Sequence, residues 1–170
     1  MSTTWDPAQP LPTTRPGSAA PAPELARTWD EKPGIAGFFS AVGHKAIGKR
    51  FIVTAFGVFV GAGLLAFLMR IQLSRPENGF IGPDRYNQIF TVHGTAMMFL
   101  FAVPVMEAMA VYLVPLMVGT RNIAFPRLNA FSYWVFLFGG AMLFVALVLD
   151  VGPDIGWFNY VPLSGPERGV

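Results

Sequence analysis

The chain contains no cysteine, so it can form no disulfide and offer no thiolate; any metal or heme must be held through imidazole, thioether or oxygen. Imidazole is itself scarce, with two histidines, His44 and His93, beside eight methionines. Charge is sparse as well. Asp, Glu, Lys and Arg make up 13% of the 170 residues, and a formal net charge of +2 is too small to draw the chain to nucleic acid. There is no Gly-rich phosphate loop, no Ser/His/Asp constellation and no internal repeat, which points away from soluble-enzyme chemistry.

What is abundant is apolar side chain. A mean hydropathy of +0.48 places the chain in the membrane class, and 16 Phe with 18 Gly suit apolar helices that approach one another closely.

Residues 1–32 are rich in Pro, Ala and Thr with alternating charge, too polar to bury a core, and are expected to be a disordered tail; they lack the apolar run of a signal peptide. In residues 33–50, Phe38 and Phe39 mix with Lys45, Lys49 and Arg50, which predicts an amphipathic segment at a membrane surface with His44 as an interfacial polar contact. After Arg50 an uncharged run of about 19 residues predicts a first membrane helix over 51–73, with Gly57, Gly61, Ala62 and Gly63 as a close-contact stripe. Residues 74–87 read as a loop. A second helix is predicted over 88–118, interrupted at Pro104 and broken near Pro115, and a third over 128–150. Residues 33–170 thus read as one all-α membrane unit with three transmembrane helices.

Basic residues set the orientation. Lys45, Lys49 and Arg50 before the first helix, and Arg121 and Arg127 between the second and third, have no acidic neighbours, whereas the other flanks carry Glu77, Asp84, Asp150 and Asp154. The N-terminus is therefore expected in the cytoplasm. His93, about five residues into the second helix, then lies roughly 7 Å below the outer boundary.

An ionisable group in so apolar a run is a functional candidate. His93 can ligate a metal or heme iron, relay a proton, or satisfy a carbonyl of a neighbouring helix.

Several separated motifs resemble one family, subunit I of the heme-copper respiratory oxidases: GHKAIG, Arg70 in MRIQLSRP, HGTAMMF with its Pro104, VPLMVGTRNIAFPRLNAFSYW, and GWFNYVPLSGP. The resemblance runs from Gly43 to Pro166. It implies that His93 is an axial ligand of a low-spin heme, heme a in many members, and that Arg70 hydrogen-bonds the heme periphery; a snorkelling helix-end arginine is the alternative. Trp157 and Tyr160 match aromatics near the heme region, or serve as interface anchors. The implied setting is the inner (cytoplasmic) cell membrane, with subunits II and III and a cytochrome c or quinol donor as partners.

The sequence also departs from the family. Asn122 stands where an aspartate often marks the mouth of a proton-input channel, and Val111 replaces an asparagine of that channel, although Asn129 matches another. Gln72 replaces a glutamate of a peripheral cation site. The resemblance further implies a larger bundle of about twelve helices, with the copper and the high-spin heme in the part that this chain lacks. A self-contained three-helix structural or assembly subunit is the competing reading.

Glu107 is the one acid inside the second helix. At 100° per residue it returns to within about 40° of the His93 face, roughly 21 Å nearer the cytoplasm, so it is expected to face the bundle interior and to serve proton uptake in place of the missing aspartate. A protonated packing glutamate is the alternative.

Overall fold

The computed structural model describes residues 34–162 and 164, which leaves the expected disordered tail outside the described residues. The chain divides into two units, Met1–Ser40 and Ala41–Val170. Of the first, helix α1 (Gly34–Ser40) is described, with the rings of Phe38 and Phe39 edge to face at 5.5 Å.

The second unit holds three helices long and apolar enough to cross a membrane. Helix α2 (His44–Gln72) starts at His44, not near 51, so the basic residues expected on a surface segment form its first two turns. Its start is capped from a distant loop: the Asn122 side-chain carbonyl accepts the His44 N–H at 3.1 Å and the Ile123 N–H at 2.9 Å. Such an oxygen satisfies an N–H that a helix start leaves without an intrahelical partner. At 1.5 Å per residue the 29 residues of α2 span about 43 Å, more than the hydrocarbon layer.

The second span is continuous from Pro83 to Val118 but not uniform. It comprises α3 (Pro83–Thr95), a π-helical segment (Ala96–Ala102) and α4 (Val103–Val118). Pro83 occupies the first turn and Asp84 faces the helix dipole there, which starts the helix before residue 88. Pro104 lacks an N–H and its ring crowds the carbonyl of Leu100, inside the π segment. The chain therefore answers this proline by widening a turn, without breaking. Pro115 does not break the helix either: α4 runs through it and closes at Gly119, whose φ of +76° is the left-handed conformation that glycine adopts without strain.

The third span, α5 (Pro126–Val148), packs beside α2. Tyr133, Ala130, Ile47, Phe51, Ala108 and Val111 form one apolar core, and Met69, Ile89, Val92 and Leu147 form another at the opposite ends of the helices. Between them, Leu100 of the π segment fits against Gly140 of α5, where a Cβ would lie 3.3 Å from its methyl carbons. Gly48 likewise lets α2 approach Tyr112 and the Ala108 carbonyl.

Candidate functional site

His93 sits in the last turn of α3, half-buried, with Nδ1 2.9 Å from the carbonyl oxygen of Ala62 on α2. A carbonyl only accepts, so in this bond Nδ1 carries the proton. In the neutral ring Nε2 is then left with its lone pair. The small, fully buried Ala62 lets the two backbones come this close.

The loop after α5 closes on the same turn. Thr91 accepts the Gly156 N–H at 2.8 Å and donates to the Asn87 carbonyl at 2.8 Å. Trp157 lies on Gly94: a Cβ there would fall 2.7 Å from its Cδ1. Arg85 holds the base of α3, pairing with Asp150 at 2.9 Å and also donating to Gln88 and the Leu147 carbonyl.

The other residues singled out in the sequence are dispersed. Tyr160 is exposed and stacks on Phe158 at 5.1 Å, which in turn meets Trp157 at 6.1 Å, so it stands two rings away from Gly94. Arg70 is exposed in the last turn of α2, eight residues beyond Ala62 (70 − 62), or about 12 Å along the axis. Gln72 staples the following loop, accepting the Ile81 N–H at 2.7 Å and donating to the Asn78 carbonyl.

Glu107 does not face the interior of these helices. It is exposed, while Pro104, Ala108 and Val111 of the same helix are buried. The cause is the π segment: each such insertion adds a residue to a turn and shifts everything after it by about 100°, so angular counting across it from His93 fails. His44 also departs from expectation. It is 4% exposed, and its Nε2 is buried without a hydrogen-bond partner among the described residues.

Two features were not legible beforehand. Arg50, 1% exposed, has its guanidinium carbon 5.9 Å from the ring centre of Tyr133, whose hydroxyl is 3.0 Å from that of Thr54. The other is the hold of the 156–157 loop on Thr91 and Gly94, through the Gly156 N–H and the Trp157 ring. Among the described residues no three His, Cys, Asp or Glu side chains gather, so His93 offers a single ligand.

A family model described as cytochrome c and quinol oxidase polypeptide I matches residues 46–169. The chain is 41% identical over 145 residues to cytochrome c oxidase subunit 1 of Alkalihalophilus pseudofirmus, covering 85% of this chain and 23% of that protein. With its namesakes in Synechocystis and Bacillus subtilis the identity is 46% and 40%, covering 75% and 78% of this chain and 23% and 21% of theirs. The chain thus spans about a quarter of the length of the curated relatives it matches.

Proposed function

Because the chain belongs to the cytochrome c and quinol oxidase polypeptide I family, we propose that it forms the part of an oxidase subunit I that supplies one axial ligand, His93, to a low-spin heme. The observation that carries this reading is the His93 hydrogen bond to the Ala62 carbonyl. Metal-bound histidines characteristically donate their other ring nitrogen to a carbonyl or carboxylate, which selects the tautomer and aims the ligating lone pair. The residues present therefore fit the group. A bound heme would supply a reversible one-electron carrier. His93 would hold it, with the Ala62 carbonyl orienting the ring and Trp157 covering the adjacent Gly94; Arg70 and Tyr160 stand farther off and would serve at most its outer periphery.

The wider reading is electron transfer from cytochrome c or quinol, through this heme, to a heme-copper centre that reduces dioxygen, coupled to proton uptake and pumping. The copper and the high-spin heme belong to parts of the subunit outside this chain, and subunits II and III are its partners. The N-terminus lies on the cytoplasmic side of the cell membrane, as the basic flanks of α2 and the 119–127 loop direct.

His93→Leu in the full-length oxidase is expected to abolish the low-spin heme absorbance while the high-spin signal persists. An unchanged low-spin spectrum would overturn the assignment.

A further inference from the structure

The loop after α5 takes hold of α3 on both sides of His93. Two residues before the histidine, Thr91 is 2% exposed and its hydroxyl both donates to the Asn87 carbonyl and accepts from the Gly156 N–H. The contact with Gly156 spans 65 residues of sequence, so it is a tertiary tie and goes beyond the common back-bond of a helical threonine. Gly156 is suited to this place as glycine: its φ is +78°, and a Cβ there would lie 2.7 Å from the Phe158 ring. One residue after the histidine, Gly94 is covered by Trp157, the next residue of the loop. The histidine ring itself is tied to α2 through Ala62.

We propose that Thr91 is a positioning residue for the His93 ligand: its hydroxyl locks the Gly156–Trp157 corner onto α3 and so fixes the rotation of the ligand-bearing turn and keeps water from it. This deepens, and rests on, the reading of His93 as a heme ligand. Second-sphere contacts and solvent access tune a heme's potential, and a wetter site favours the oxidised, more positively charged iron. A threonine that merely anchored the loop would leave the heme unchanged.

The test uses the full-length, assembled oxidase. Thr91→Val removes the hydroxyl at nearly constant volume and leaves the Gly156 N–H without its acceptor, whereas Thr91→Ser keeps the oxygen. The valine variant is expected to retain low-spin absorbance, but with that heme about tenfold more oxidised at the wild-type midpoint, a fall of about 59 mV for one electron. Its ferric low-spin g values should move, and amide exchange in the peptide containing Gly156 should quicken by at least about tenfold. Serine should restore all three. Gly156→Ala loosens the same corner from the loop side with Thr91 intact, and is expected to lower the potential in the same direction even where the valine variant fails to assemble.

Faster exchange with an unmoved potential and unmoved g values would overturn the proposal and leave Thr91 a loop anchor only. Unchanged exchange in both variants would overturn it as well. Failure of the underlying reading looks different: His93→Leu would then keep its low-spin spectrum whatever the Thr91 variants do.

Discussion

An acceptor on one imidazole nitrogen selects the tautomer that leaves the other with its lone pair, and in this chain that acceptor is a backbone carbonyl of the neighbouring helix. No substitution at Ala62 would remove that acceptor, so the arrangement depends on how closely α2 and α3 pack more than on any one side chain. Glu107 presents the opposite case. It is exposed on α4, away from the face expected for it, and the proton-uptake role proposed for it rests on its being the one acid inside that span between residues 88 and 118. Glu107→Gln keeps shape and hydrogen-bonding capacity while removing the titratable proton. It is expected to lower turnover and proton uptake by at least about tenfold with the heme spectra intact, measured by oxygen consumption and proton uptake in vesicles. Wild-type turnover would leave Glu107 a packing role alone. Asn122, which cannot titrate, is engaged as a cap on α2, and Val111 belongs to an apolar core.

The π segment is the element on which this geometry turns. Pro104 sets it off, Gly140 receives its Leu100, and the extra residue aims Ala108 and Val111 at α2. Deleting the exposed Met98 is expected to restore α-helical register and turn α4 by about 100° relative to α3. Ala108 and Val111 would then leave the core and polar or bulky neighbours would enter it, at a cost of several kcal/mol. Thermal melting of the purified full-length variant checks this; a melting temperature within a degree or two of wild type would show that α4 does not depend on the insertion.

Across the whole described chain, the apolar faces of the spans are mostly uncovered. In the most apolar stretch of each span only 17% of residues are buried, and Phe67, Phe131, Phe138 and Met142 are all more than half exposed. In water such surface would aggregate; against lipid and further helices it is ordinary. The proposed topology sets the 119–127 loop against the cytoplasm and the 74–82 loop outside. Single cysteines at Ala124 and Glu77, in an oxidase otherwise freed of cysteine, are therefore expected to react with a membrane-impermeant maleimide from opposite sides. Labelling of both in intact cells would contradict that orientation.

Length and apolarity of uninterrupted runs were enough to find three spans, because a bilayer imposes one thickness on every helix that crosses it. The histidine stood out for the same reason, being an ionisable group where such groups are costly. Helix starts were harder to see: α2 begins among charged residues because Asn122, 78 residues away, caps it. Which face Glu107 presents was also hidden, since one widened turn shifts every later residue while the hydropathy stays the same. The tie from Gly156 to Thr91 joins residues 65 apart, and a threonine hydroxyl in an apolar helix looks alike whether it bonds its own turn or a distant loop. Composition and order therefore determined that three helices are long and apolar enough to cross a membrane and that one of them carries a candidate ligand; only the packed structure decided which nitrogen of that histidine is held as a donor, and by what.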